Sequence, residues 1–291
     1  MTVDGVRYVV DSGFVKQMTY EPVSAMDALV VTPISKAAAE QRTGRAGRTS
    51  AGKCYRLFSR AYHDETMDEE TIPEIQRTSL TNTVLSLKKM GIRDVLHFDF
   101  MDPPSQDTIV TAMKQLYLLG ALTADGAITE IGERMSLFPL APNLARVMVA
   151  SLDHGCSEEM LTIVAMLSVE DIFVTPHNKQ DIQKASKARE GFNQLGGDHV
   201  TLLHIFELWG ANEFSTGWAK ENFLQHRHLK TARSIRKQLL EIIEKSKLKI
   251  KSCRNRDGKP DLKAIMKSLA EGFFSHSMEN ISLSLSLPLS F

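Results

Sequence analysis

Several things are scarce in this sequence, and each absence excludes a class of protein. Among 291 residues there are 3 cysteines, Cys54, Cys156 and Cys253, far apart, odd in number and without a CxxC spacing. No disulfide framework is expected, and a reducing compartment is. No apolar run approaches the roughly 20 residues that span a bilayer, so the expectation is a soluble chain with no membrane partner. The nine histidines form no HExxH or paired-ligand pattern, and no metal site is expected. Net charge is absent too, 35 basic residues cancelling 35 acidic ones, so no global field advertises nucleic acid. Aromatic residues make up only 7% of the chain, which leaves few platforms for stacking bases.

What is present is a hydrophobic fraction of 43%, enough for real cores in two or three modules, and an uneven charge distribution. One basic cluster surrounds residues 36–60. A second tract runs from Arg227 to Arg256, with Lys230, Arg233 and Lys237 at helical spacing, and is read as either a solvated helix face or a phosphate-binding one.

The most informative segment is Gln41-Arg42-Thr43-Gly44-Arg45-Ala46-Gly47-Arg48. Arg45 and Arg48 are spaced by three and flanked by Gly44 and Gly47, so the backbone can approach a ligand and both guanidinium groups can reach one polyphosphate. Gly47 to Cys54 overlaps it and imitates a phosphate loop ending in Gly52-Lys53-Cys54. Cys54 stands where a hydroxyl should be, and residues 53–58 alternate like a strand where a helix is required, so the phosphate-loop reading is set aside.

The remaining pattern is mixed α/β, then mostly α. Residues 6–11 read as a buried strand, 14–31 as two arms of a hairpin around Glu21-Pro22-Val23-Ser24, and 36–41 as a helix capped by Ser35. Leu80, Val84, Leu85, Leu87 and Met90 predict a helix capped by Thr78 or Ser79 and stopped by Gly91. Ser105 caps a second, with Ile109, Ala112, Met113 and Leu116 inside, and residues 121–129 turn as a small hairpin at Asp125-Gly126. Helix, helix and wing make a winged-helix module. From residue 141 the chain reads as a helical bundle: 143–154, 157–168, 179–192, 198–209 and 228–245. Met148, Met160 and Met166 are read as core fillers.

The octapeptide resembles motif VI of superfamily 2 helicases, and the form QRxGRAGR resembles that of DEAH-box RNA helicases. Residues 4–11, 72–77, 97–104, 156–163, 197–203 and 272–274 resemble further blocks of that family's C-terminal half, in order, over about residues 1–278. The resemblance implies a partial RecA-like α/β domain with its hairpin (residues 1–77), a winged helix (78–140), a helical ratchet or helicase-associated domain (141–250) and the start of an OB-fold module with an atypical tail (251–291). It implies an NTP hydrolase acting on a phosphoanhydride. Arg45 and Arg48 are then arginine fingers, Gln41 places water or phosphate, and Thr2 and Asp4 are the end of motif V near the ribose. ATP with Mg2+ is the cofactor of the complete helicase. Implied partners are single-stranded RNA, glycine-patch activator proteins, and spliceosomal or pre-ribosomal particles, in the nucleus or nucleolus. The chain starts inside motif V and contains neither a phosphate loop nor the Asp-Glu-Ala-His box, so no nucleotide is expected to bind it unaided, and a truncated gene model or splice product is expected. The Ser/Leu alternation of residues 281–289 is unlike the family. A non-catalytic RNA- or protein-binding module, or a non-functional truncation, stands as the alternative.

Overall fold

The computed structural model describes residues 5–21 and 26–276. The chain divides into two compact units, Met1–Gln115 and Leu116–Phe291.

In the first unit, β1 (Tyr8–Asp11) pairs in parallel with β4 (Lys53–Arg56), Val10 standing opposite Tyr55. Between them, β2 (Phe14–Glu21) and β3 (Met26–Pro33) form an antiparallel hairpin from the Phe14/Pro33 pair to the Glu21/Met26 pair; the turn expected at 22–24 lies outside the described residues. Helix α1 (Lys36–Thr43) starts where the sequence placed it, because the Ser35 hydroxyl accepts from the Ala38 amide and satisfies one of the open N–H groups of the first turn. The small sheet carries an apolar face that is bare in this chain: Tyr8, Val10, Tyr55 and Leu57 are all exposed, although parallel strands are ordinarily covered on both faces.

Asp11 ends β1 with its side chain fully buried. Its Oδ1 accepts from the Gly13 amide at 3.0 Å and from the Arg42 guanidinium at 2.6 Å, and the same guanidinium donates to the Phe14 carbonyl. This ion pair ties the last turn of α1 to the root of the hairpin. Replacing Arg42 by Met would leave the buried carboxylate without its cation; breaking a buried pair costs about 3–5 kcal/mol, and Arg42 is one-third exposed, so a loss of about 2–3 kcal/mol is expected. Urea unfolding of the two chains checks it, and an unchanged midpoint would show that the pair contributes nothing.

Next come α2 (Arg60–Glu65), capped by Ser59, α3 (Thr81–Lys89) and α4 (Gln106–Leu118). Two expectations about α3 are corrected. Its cap position is Leu80 with no side-chain cap bond, since the Thr78 hydroxyl is engaged by the Glu74 carbonyl and Ser79 by the Thr81 hydroxyl. Met90 is exposed rather than part of the apolar stripe, because it lies beyond the last helical turn. Ser105 does cap α4, accepting from the Thr108 amide. Around the expected boundary at 77/78 the Tyr20 amide donates to the Arg77 carbonyl at 2.8 Å, Arg77 donates to the Met18 carbonyl, and Gln115 reaches the Tyr20 hydroxyl. The division between the two compact units falls within α4.

The second unit opens with the wing, a single antiparallel bridge between Leu122 and Ile128 that turns at Gly126 with φ +78°, a conformation open to glycine at little cost. Thr129 caps the short α5 (Glu130–Met135). Helices α6 (Pro142–His154), α7 (Ser157–Leu167), α8 (Lys179–Phe192), α9 (Asp198–Ala211), α10 (Thr216–Glu221), α11 (His226–Lys245) and α12 (Leu262–Phe273) follow. α7 is the hub: residues 159–166 are buried throughout, and α6, α9 and α11 pack around it. Met148, Met160 and Met166 fill this core as expected. α8 is the opposite case, with only Phe192 buried. Residues 251–276, expected to begin a further module, are in contact with the helices before them. α12 packs on α6, and Lys251 exchanges backbone bonds with the start of α7, donating to the Ser157 hydroxyl and accepting from the Glu158 amide.

Candidate functional site

The arginine-rich segment leaves α1 at its C-terminus. Gln41 lies on the last turn, Gly44 caps it, and Arg45 to Arg48 continue as a tight turn, the Arg45 and Ala46 amides donating to the Arg42 and Thr43 carbonyls. Gln41, Arg45 and Arg48 are exposed, whereas Ala46 between the two arginines is buried. Ala46 therefore anchors a loop whose charged members project. Glu40 holds Arg56 of β4 through a 2.5 Å bond, and the bond raises the Arg56 pKa above its ordinary value, so α1 is latched to the sheet just ahead of the motif. Arg42, inside the motif, serves Asp11 and the fold.

Lys53, the lysine of the imitation phosphate loop, lies in β4, where its amide donates to the Arg7 carbonyl. A strand in place of a helix removes the convergent N–H groups that cradle phosphate. Gly52 before it has another reason to be glycine: a Cβ there would stand 2.2 Å from the Ala46 carbonyl oxygen and 2.7 Å from that of Arg7. Thr2 and Asp4 lie outside the described residues.

The basic tract resolves into distinct roles. Lys230, Arg233 and Lys237 occur at three- and four-residue steps along α11, one stripe of its surface, and all three are exposed. Arg233 nevertheless sits over the Phe214 ring, its Cζ 3.7 Å from the centroid, and Phe214 packs edge-on against buried Trp209. Glu213 and Phe214 both adopt left-handed backbone, φ 56° and 57°, strain that the ring packing sustains. Lys237 stands 4.0 Å from Glu241. Arg236, in the same tract, turns inward and donates to the Thr162 hydroxyl. Arg254 is held by Glu159, Glu207 and the Gly258 carbonyl. The carboxylate of Glu159, 2% exposed, accepts from the Ser252 hydroxyl and the Cys253 amide as well. These last two arginines belong to the architecture. Thr162 is 74 residues from Arg236, and Glu159 is further still from Arg254, so neither pairing leaves a local signal in the sequence.

Burial pushes the Cys156 thiol up and the Cys253 thiol up to about 12, which keeps both protonated near neutrality and removes them as nucleophiles. No helix among the described residues is long and apolar enough to cross a membrane.

Two family models match this chain: the ratchet-like part of the helicase-associated domain HA2 over residues 141–202, and its winged-helix part over residues 112–140. The chain is also 45% identical, over 277 residues and 95% of its length, to the pre-mRNA-splicing factor ATP-dependent RNA helicase prp22 of Schizosaccharomyces pombe. It spans 23% of the length of that relative.

Proposed function

The chain belongs to the DEAH-box RNA helicases, and from that premise we propose that it is the RNA-facing C-terminal part of an ATP-dependent helicase acting in pre-mRNA splicing. The observation that carries the reading is the pair of exposed guanidinium groups, Arg45 and Arg48, on a loop anchored by Ala46. The chemistry of this donor set suits phosphate oxygens, and the strand at Lys53 leaves the phosphate-holding role to another domain. In the complete enzyme, ATP with Mg2+ supplies the phosphoanhydride whose cleavage drives movement on RNA. Arg45 and Arg48 would present positive charge toward it, and Gln41 would orient water or phosphate. Fingers stabilise a transition state that other groups assemble, so this sequence is inactive as an ATPase by itself.

On this reading the partners are single-stranded RNA, spliceosomal particles and glycine-patch activators, and the place of action is the nucleus. The fission-yeast relative is a pre-mRNA-splicing factor, which favours splicing over ribosome assembly. A second reading, a protein-binding module without catalysis, has the bare face of Tyr8, Val10, Tyr55 and Leu57 in its favour.

RNA affinity is expected to come from phosphate contacts, since Lys230 and its neighbours offer charge and the aromatic residues near them are engaged with one another. Titrating oligouridylate against the chain at two salt concentrations should give weak, sequence-indifferent binding with a steep salt dependence. Neutralising Lys230, Arg233 and Lys237 together should lower the slope of log K against log salt by about 0.7 for each phosphate no longer neutralised, about 2 at most. A slope that stays put would assign these residues to a solvated face, and no binding at low salt would favour the protein-binding reading.

A further inference from the structure

The hairpin strand β2 has one edge paired with β3 and a second edge that is only partly used. On that second edge the Phe14 carbonyl accepts from Arg42, the Met18 carbonyl accepts from Arg77, and the Tyr20 amide donates to the Arg77 carbonyl. These are all even-numbered residues. In an antiparallel ladder the N–H and C=O of one residue point to the same side and alternate along the strand, so Lys16 presents its N–H and C=O, and Met18 its N–H, on this edge as well. No described residue takes those three groups. The open stretch lies between two arginine clamps, one at Phe14 and one at Met18 to Tyr20.

This edge opens into a groove of the first unit, about 1000 Å³, whose wall across from β2 is formed by residues 66–79. That is the upper end of the range for ligand pockets, and it is bounded along one side by a strand. The groove wall carries an unused polar group too: Thr32 Oγ1 is buried with no partner. The charge of the groove is set by Asp68, Glu70 and Glu74, which have no described counter-ion, against Lys16. Its other two cations are committed, Arg42 to Asp11 and Arg77 to the carbonyls of Ile72 and Met18. Three carboxylates repel a phosphate backbone and attract cationic side chains.

We propose that this groove is a docking site for an extended, basic peptide segment of a partner protein, which adds as a strand to the free edge of β2. The peptide residue opposite Lys16 exchanges two backbone hydrogen bonds with it, a third bond forms at the Met18 amide, and lysine or arginine side chains of the peptide meet Asp68, Glu70 and Glu74. Strand addition of this kind takes its affinity from main-chain bonds and its selectivity from the alternate side chains.

The test uses the full 291-residue chain and a fluorescein-labelled, acetylated octapeptide of alternating lysine and valine, followed by anisotropy. The peptide should bind, more tightly than one of alternating glutamate and valine, and oligouridylate should not displace it. Met18→Pro removes one outward N–H at an edge position that accepts proline, and should weaken binding about three- to tenfold, the worth of one hydrogen bond. The triple variant Asp68→Asn, Glu70→Gln, Glu74→Gln should weaken binding and flatten its salt dependence. Should Met18→Pro fail to fold, amide exchange decides: peptide binding to the unaltered chain must slow exchange at Lys16 and Met18. The proposal is overturned if the peptide does not bind, if the glutamate peptide or the RNA occupies the groove as tightly, or if the exchange of Lys16 and Met18 is unaffected.

Discussion

Arg48→Ala and Arg45→Ala, each made in a complete DEAH-box helicase carrying this segment, are expected to lower kcat by about 10³- to 10⁵-fold while RNA affinity changes little. The expectation rests on differential binding: a finger contributes where charge develops in the transition state, so its removal is felt in turnover and not in the ground-state grip on RNA. The loop geometry accords with that division of labour. Arg42 is committed to buried Asp11 and Ala46 is packed inside, while Arg45 and Arg48 are exposed. A loss of kcat well beyond any change in Tm separates this case from a structural one. The measurement is kcat beside RNA affinity and Tm for both variants. Unchanged kcat in both would remove the catalytic reading of the motif.

Gly52→Ala is expected to have the largest effect on the fold near the motif. The added methyl would stand 2.2 Å from the Ala46 carbonyl oxygen, 2.7 Å from the Ala46 carbonyl carbon and 2.7 Å from the Arg7 carbonyl oxygen. All three neighbours are backbone, so no rotamer change relieves the clash. Either the 45–48 loop lifts from the sheet or the bond from the Lys53 amide to the Arg7 carbonyl opens. Overpacking costs about 1–3 kcal/mol and the opened backbone bond about 1 more, a total of about 2–4 kcal/mol. Loss of Tm by about 5–10 °C follows for a chain of this size. In the complete helicase the same change should lower kcat, because lifting Ala46 moves both arginines. Lys53→Ala beside it should do neither, and a variant pair with the opposite ranking would return the phosphate-loop reading to consideration.

Local chemistry made much of this molecule legible. Ser35 and Ser105 cap the helices they precede, Gly155 ends α6 in left-handed backbone, and α8 spans the charged stretch of residues 179–192. These signals act within four residues of their cause. What stayed hidden acts over distance. The Asp11/Arg42 pair joins residues 31 apart, and nothing in the octapeptide distinguishes Arg42, which holds the fold, from Arg45 and Arg48, which project. Arg236 and Arg254 read as members of a basic tract until Thr162, Glu159 and Glu207 are brought against them. α10 escaped because six residues are too few to display a 3.6-residue period, and its approach through left-handed Glu213 and Phe214 depends on Trp209 packing that only the folded chain supplies. The bonds between Lys251 and the start of α7 join residues more than 90 positions apart and leave no local signal either.

On the proposed function, the arginine pair serves a phosphate site that this sequence does not itself provide, and the direct test is single-turnover ATP hydrolysis by the 291-residue chain with saturating single-stranded RNA. Hydrolysis should match buffer, with and without RNA, and should stay there in Arg48→Ala. RNA-stimulated hydrolysis that disappears in Lys53→Ala would contradict that division of roles and make Gly47 to Cys54 a working phosphate loop.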